Sequence, residues 1–308
     1  MKRRRRVAGH VLFFLAPATI VYTAFVIYPL VGSLRLSLFE FGFGSQAHEQ
    51  FVGLDNFQRL FFDPNWGPAF WRAVSNTLVL FAVNMVVQNP LALLLALLLT
   101  SRVLRARGLF RGVIFAPAVL SFVLVGFIWK LLLSPLWGVA PGALDAIGLG
   151  SLFAPWLGLE GPAMIAVSLM SVWQWVGIPM LLFSAALLGI SDEILDAART
   201  DGAGAFRMFW NIKLPLILPT VGIVAVLTFV GNSNAFDIVY TVQGANAGPN
   251  FSTDVLGTFF YRTFFGWMVQ QPNPSMGATI ASVTFLAVGF VLVLYFFALQ
   301  RRLQRYDA

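Results

Sequence analysis

Six long apolar stretches constrain the fold of this chain more than any other feature. A helix needs about 20 mostly apolar residues to cross the hydrocarbon core of a bilayer, and every one of these stretches reaches that length. They cover residues 7–34, 73–99, 112–133, 162–190, 214–235 and 277–299. Strand-like alternation is absent from them, which argues against a transmembrane barrel. The sequence therefore predicts an all-α, polytopic membrane protein with six transmembrane helices in a single domain over residues 1–308.

The composition agrees with this class and excludes several kinds of chemistry. Hydrophobic residues make up 58% of the chain and charged residues 11%, which is too apolar for a soluble domain of this size. There is no cysteine, and the two histidines lie far apart, so neither a disulfide nor a metal centre is expected. No G-x-x-x-x-G-K-[ST] phosphate loop and no hydrolase motif occurs. We expect no catalytic residue and no cofactor, and if the chain works as a pump, its energy comes from a partner or an ion gradient.

The lysine and arginine residues predict the orientation. Most of them fall before the first stretch, after the sixth, and in the second-to-third and fourth-to-fifth connections, and basic connections stay cytoplasmic. These residues are 2–6, Arg102, Arg105, Arg107, Arg111, Arg199, Arg207, Lys213, Arg301, Arg302 and Arg305. Both termini are therefore predicted to be cytoplasmic. The net charge of +7 does not indicate a nucleic-acid partner, because the basic residues are scattered along membrane boundaries.

A polar segment over residues 191–213 interrupts the apolar pattern between the fourth and fifth stretches. Ser191 can cap a helix that carries acidic residues in its first turn. Small residues at Ala197 and Ala198 would let another surface approach the backbone, and Gly202 would end the helix. A second short helix is predicted from about Ala205 into the fifth stretch. This cytoplasmic knob is expected to contact another protein, although an amphipathic connection lying on the membrane is the plainer alternative.

The same segment resembles the coupling motif of ABC-importer permeases, known as the EAA motif. It is present as Asp196-Ala197-Ala198, followed by Asp201-Gly202-Ala203 and Leu214-Pro215, with Asp196 where the motif has Glu. The resemblance implies that this segment contacts an ATPase subunit. The residues that it assigns to this contact are Glu193, Asp196, Ala197, Ala198, Arg199, Asp201, Gly202, Ala203, Phe206, Phe209 and Pro215.

The resemblance extends over most of the chain and narrows to carbohydrate permeases of the maltose and glycerol-phosphate importer type. It is carried by Tyr28-Pro29, Asn76-Thr77, Trp129, Trp173 and the string from Phe236 to Thr241. It implies a type I ABC importer permease fold in the inner, or cytoplasmic, membrane. It also implies a second homologous permease, two ATP-binding subunits that hold ATP and Mg²⁺, an extracytoplasmic solute-binding protein and a sugar-like substrate.

Polar and aromatic side chains at membrane depth are the candidates for the substrate path, because a buried polar group is costly unless it faces a partner or a wet cavity. Amides, a carboxylate and aromatic faces suit a sugar. These candidates are Asn84, Gln88, Trp173, Gln174, Trp175, Asn232, Asn234, Asp237 and Tyr240. Hydrogen bonding between helices is the alternative role. At the level of the whole protein, a gradient-driven secondary transporter and an importer of a non-sugar solute are the alternatives.

Overall fold

The computed structural model describes residues 9–41, 49–101, 106–268 and 270–303. Several of the basic residues that predict the orientation, namely residues 2–6, Arg102, Arg105 and Arg305, lie outside these ranges. The chain forms two compact units, Met1–Pro68 with Phe260–Phe290 and Ala69–Phe259 with Val291–Ala308. Both units are mostly helical.

The described helices and strands follow one another along the chain as a series of long apolar helices joined by short ones. The helices are α1 (Gly9–Tyr22), α2 (Tyr28–Leu36), α3 (Asp55–Phe62), α4 (Gly67–Val83), α5 (Asn89–Thr100), α6 (Arg107–Val119), α7 (Phe122–Leu132), α8 (Val139–Ala146), α9 (Glu160–Trp175), α10 (Gly177–Leu188), α11 (Asp192–Thr200), α12 (Ala205–Met208), α13 (Leu214–Ser233), α14 (Asp237–Gln243), α15 (Leu256–Phe265) and α16 (Pro274–Leu303). The strands are β1 (Phe39–Phe41) and β2 (Glu49–Phe51).

Four helical stretches are long and apolar enough to cross a membrane as single spans. They are Phe13–Leu36, Gly67–Thr100, Ala205–Ser233 and Pro274–Phe297. They lie where the first, second, fifth and sixth apolar stretches were predicted to form helices. Three further helix pairs pass the same test of length and composition only as bent pairs. The count of six crossings stays a prediction.

Three of these long stretches contain a π-helical turn that ends two residues before a proline. The turns are Thr23–Ile27, Asn84–Gln88 and Phe209–Lys213, and the prolines are Pro29, Pro90 and Pro215. Proline lacks an N–H group, and its ring clashes with the carbonyl four residues earlier. In each case the residue before the proline donates its N–H to the carbonyl five residues back. The wider turn therefore accommodates the proline and lets the helix continue.

The third predicted span, residues 112–133, does not form one straight helix. It is divided into α6 and α7, whose axes differ by 99°. Leu120 and Ser121 adopt extended backbone conformations between them. The Ser121 hydroxyl accepts a hydrogen bond from the Leu124 N–H at 3.3 Å, so it caps the start of α7. The bend follows Pro117 by three residues, and Pro117 weakens the hydrogen bonding of the end of α6.

The fourth predicted span, residues 162–190, corresponds to α9 and α10. Val176 alone separates the two helices, and it keeps a right-handed helical conformation. Its N–H donates to Val172 and its carbonyl accepts from Met180, so helical hydrogen bonding continues through the break. The chain bends by 71° after α10, where α11 begins.

The first unit contains a short antiparallel hairpin that the sequence prediction of an all-α protein missed. β1 pairs with β2 with Phe39 opposite Phe51, and three-residue strands are too short to show a period-2 pattern. The Asn56 amide of α3 donates to the carbonyls of Ser37 and Phe39, both at 3.0 Å. Arg59 of α3 donates to Glu40 at 3.0 Å, and this hydrogen bond raises the pKa of the Arg59 guanidinium. These contacts fix α3 against the hairpin.

The second unit has one apolar cluster at each end of its long helices. One cluster joins the end of α5, the end of α10 and the start of α13 through Leu99, Leu187 and Ile217. The other joins α4, α7, α9 and α14. The end of α5 and the start of the polar segment after α10 therefore lie at the same end of this unit.

Candidate functional site

The polar segment begins with α11, which ends at a glycine turn. Ser191 occupies the N-cap position, as predicted, but its hydroxyl makes no capping hydrogen bond to the described backbone. At the other end Gly202 has φ +77°, a conformation that favours glycine. Its N–H donates to the Arg199 carbonyl at 3.0 Å, and the Ala203 N–H donates to the Ala198 carbonyl at 2.9 Å. This pair of bonds is a Schellman motif, which fixes the direction in which the chain leaves α11.

The second half of the segment is continuous with the fifth long helix. α12 passes through the π turn Phe209–Lys213 into α13, so one helical stretch runs over Ala205–Ser233. Pro215 is near the start of α13, as predicted, but a helix already precedes it. The ring of Trp210 contacts those of Phe206 and Phe209 at 6.0 and 5.1 Å between centroids. Phe206 is 78% exposed.

A groove separates α11 from the start of the fifth long helix. Its lining is mostly small or apolar and comprises Ile194, Ala197, Ala198, Asp201, Ala203, Arg207, Asn211 and Ile212. The Asp196 carboxylate accepts a hydrogen bond from Arg199 on the outer side of α11, where both side chains are largely exposed. Glu193 and Phe206 are also exposed. The small residues and exposed apolar side chains suit contact with another protein surface.

The second unit also contains a partly open cavity of about 350 Å³ between its long helices. Six of the predicted path residues line it together, namely Asn84, Gln88, Trp175, Asn232, Asn234 and Asp237. Its remaining polar lining residues are Ser171 and Thr228, and its aromatic ones include Phe122 and Phe236. The cavity therefore combines amides, hydroxyls and ring faces with a largely apolar wall, as small-molecule sites commonly do.

A chain of hydrogen bonds connects the second and fifth long helices at this cavity. The Asn232 Nδ2 donates to the Thr228 carbonyl at 2.7 Å, and the Asn232 Oδ1 accepts from the Asn84 Nδ2 at 2.7 Å. Asn84 also donates to the Leu80 carbonyl at 3.0 Å. Further along the second long helix, the Asn89 Nδ2 donates to the Thr228 Oγ1 at 3.1 Å. The amides thus serve both roles considered for them, since they join two helices and line a cavity.

Three predicted path residues do not line the cavity. Trp173 packs edge-on against Trp129, with 5.6 Å between ring centroids. Gln174 is buried and donates to the Leu120 carbonyl at 3.4 Å, next to the bend between α6 and α7. Tyr240 belongs to α14 and stacks on Phe236 at 4.8 Å. Successive residues on a helix point about 100° apart, so only one of the neighbouring positions 173, 174 and 175 can face the cavity directly.

Ser171 and Thr228 line the cavity and were missed in the sequence. Both precede a predicted path residue by four positions, Trp175 and Asn232 respectively. Residues four apart lie on the same face of a helix. The spacing of four residues could therefore have predicted that both hydroxyls face the same side as the path residues.

Comparison with known proteins relates the chain to membrane components of transport systems. The family model for the binding-protein-dependent transport system inner membrane component matches residues 88–305. A lactose transport system permease protein, LacF, of Rhizobium radiobacter is 33% identical over 289 residues, which cover 94% of this chain and 93% of that protein. A multiple sugar-binding transport system permease protein, MsmF, of Streptococcus mutans is 31% identical over 281 residues, which cover 91% of this chain and 92% of that protein.

A solved structure shares the fold over nearly its whole length. It is a bacterial ABC transporter involved in the import of the acidic polysaccharide alginate, and one of its chains matches with a TM-score of 0.77 and 24% identity over 96% of both chains. The family match covers most of the sequence, including the polar segment and most of the cavity lining. The chain belongs to the family of binding-protein-dependent transport system inner membrane components.

Proposed function

We propose that this chain is one of two membrane-spanning permease subunits of an ATP-driven importer for a sugar or a related polyol or glycoside. The names of the relatives support a sugar as the substrate, because two similar permeases serve lactose and multiple-sugar transport. The second permease is a homologue of this chain. Two further subunits bind ATP and Mg²⁺, and an extracytoplasmic binding protein delivers the solute.

One continuous helix is the observation that carries the mechanism. The stretch Ala205–Ser233 begins beside the groove of the polar segment and ends with Thr228 and Asn232 in the cavity. A helix transmits a displacement of its start to its end when its hydrogen bonds continue, and here the π turn before Pro215 keeps them continuous. Movement of the polar segment by an ATPase would therefore reach the lining of the cavity.

The groove and the exposed aromatic rings of the polar segment form the proposed contact with the ATPase subunit. α11 and α12 are held at a defined angle by the turn at Gly202, so that the segment can move as one body. This role places the segment and both termini on the cytoplasmic side of the inner membrane. The inward-open and outward-open packings are the two states that ATP and the loaded binding protein favour in turn.

Substitution of Gly202 by valine tests this proposal. A β-branched residue is strongly disfavoured at φ +77°, although open space surrounds the position of the new Cβ. The turn should reorient, and substrate uptake by the assembled importer should fall at least tenfold while membrane insertion stays normal.

Gly204→Val is the matched control, because Gly204 also has open space around it but lies at φ −67°, which valine adopts readily. We expect its uptake to fall less than threefold. Normal uptake by the Gly202 variant, in a complex that contains all its subunits, would contradict the role of the polar segment.

A further inference from the structure

The connection between α7 and α9 presents an unusually exposed apolar surface. Among the described residues, its Trp137 and Leu136 are the two most exposed large hydrophobic side chains, at 84% and 82%. Val139, Ile147 and Leu152 of the same connection are exposed as well. No residue over the range 134–159 is buried. An apolar surface of this extent marks a contact with something other than water.

Leu136 and Trp137, here called the apolar tip, project from a turn of defined shape. The Ser134 hydroxyl accepts hydrogen bonds from the backbone N–H groups of both residues, each at 3.3 Å. The Gly138 N–H donates to the Ser134 carbonyl at 2.9 Å. A Cβ at Gly138 would overlap the carbonyls of Leu132 and Ser134, so the turn requires glycine there. The turn therefore holds the apolar tip in its exposed position.

The helix that follows the tip is also apolar on its exposed side. Its exposed residues Val139, Ala143 and Ala146 are spaced by four and three positions, so they share one face of α8. Asp145 is exposed beside this face, and its carboxylate lies against the backbone of Gly150. The apolar tip and the apolar face of α8 thus have a single charged side chain at their edge.

The charge of this surface favours lipid over a protein partner. Lys130 and Arg199 enclose a part of the sequence without any basic residue, and Asp145 is the only acidic residue between Lys130 and Glu160. Interfaces between proteins that assemble reversibly have a polar rim, whereas this surface is almost free of charge. A tryptophan next to aliphatic side chains is typical of the boundary between lipid headgroups and acyl chains.

The direction of the chain agrees with a contact along the membrane surface. The short helical stretch Gly150–Gly158 is bent by 91° relative to α9, which belongs to the fourth predicted span. An element at a right angle to a membrane-crossing helix runs in the plane of the bilayer. The Gln243 amide of α14 donates to the Leu157 carbonyl at 2.9 Å, which fixes this stretch to the body of the second unit.

We propose that residues 134–159 form a membrane-surface element whose apolar tip and apolar α8 face insert into the outer leaflet of the bilayer. The partner is the neutral boundary between headgroups and acyl chains, because no basic side chain is present to bind an anionic headgroup. Asp145 stays at the level of the headgroups. The choice of the outer leaflet rests on the orientation in the proposed function.

Nitroxide labels on single cysteines test this insertion, because the chain has no cysteine of its own. The labelled variants are Leu136→Cys, Ile147→Cys and Leu152→Cys, and Asp145→Cys is the matched control two residues from Ile147. The complete importer, with cysteine-free partner subunits, is reconstituted into phosphatidylcholine vesicles with and without phosphatidylglycerol. Collisions of each label with oxygen and with a water-soluble nickel chelate measure its depth.

We expect the labels at Leu136, Ile147 and Leu152 to lie about 5–10 Å below the lipid phosphates. The label at Asp145 should lie at the phosphates or above them. These depths should be the same with and without phosphatidylglycerol and should not change when the loaded binding protein is added. Three labelled positions keep the test valid if one variant fails to assemble.

Four results would overturn the proposal. Labels as accessible to the nickel chelate as the control would place the surface in water. Protection from both oxygen and nickel would place it against the second permease, and such protection only after addition of the binding protein would make it a docking site for that protein. Insertion that requires phosphatidylglycerol would contradict a neutral contact. Sugar uptake by the same vesicles measures the proposed function separately, so failure of one is distinguished from failure of the other.

Discussion

At the scale of single residues, Asp196 is the position where the chain departs from the coupling motif that it resembles. Its carboxylate pairs with Arg199 one turn away, and both side chains are largely exposed. An exposed pair of this kind contributes about 0–1 kcal/mol to stability. Under the proposed function, the role of this carboxylate is contact with the ATPase subunit rather than the folding of α11.

Replacement of Asp196 by alanine should consequently separate stability from coupling. We expect the thermal midpoint of the purified complex to change by no more than about 1 °C, because the pair is exposed. Stimulation of ATP hydrolysis by the loaded binding protein should fall about tenfold. Asp196→Glu keeps the charge and should retain the stimulation. A large drop of the midpoint, or full stimulation in the alanine variant, would assign Asp196 a different role.

The sequence predicted the polar residues of the cavity better than their partners. Asn84 and Asn232 were singled out because amides are costly at membrane depth. Their mutual hydrogen bond could not be predicted, because it depends on which two helices become neighbours. Gln174 was chosen as an amide at membrane depth and Trp173 as an aromatic face, whereas their helix directs them to the Leu120 carbonyl and to Trp129.

At the scale of elements, the length of the apolar stretches predicted where helices form. It did not predict where these helices bend or break. The division of the third stretch depends on Pro117 and on the cap at Ser121, two local signals inside a continuous apolar run. The prolines at 90 and 215 predict a kink or a helix start, and the π turns before them instead keep each helix continuous. Hydrophobicity does not encode these hydrogen-bond choices.

Packing between α13 and α16 offers a test at this scale. A Cβ added to Gly222 would lie 2.2 Å from the Tyr295 hydroxyl oxygen and 3.2 Å from the ring carbon that bears it. Gly222→Ala should therefore destabilise the protein by about 1–3 kcal/mol through overpacking. Tyr295→Phe alone should be nearly neutral, because this hydroxyl is buried without a partner among the described residues.

The double variant Gly222→Ala/Tyr295→Phe should recover most of the loss, since phenylalanine removes the clashing oxygen. Gly289→Ala serves as the control, because nothing lies within 4 Å of its new Cβ. Thermal unfolding of the four purified variants measures these differences. Additive losses in the double variant would show that the two positions do not contact each other in the assembled protein.

At the scale of the whole molecule, the long helix Ala205–Ser233 links the groove at one end of the second unit to the cavity between its helices. The sequence gives no phosphate-binding loop, and the family to which the chain belongs consists of transport-system membrane components. The central claim is that force from a partner ATPase, rather than an ion gradient, moves this helix and opens the path.

Uptake of a radiolabelled neutral disaccharide into proteoliposomes tests this claim most directly. The liposomes carry the complete importer, with ATP inside and the loaded binding protein outside. The account predicts uptake that stops when a non-hydrolysable analogue replaces ATP, and that continues when ionophores collapse all ion gradients. Uptake by this chain without its ATPase, driven by an imposed ion gradient, would contradict it.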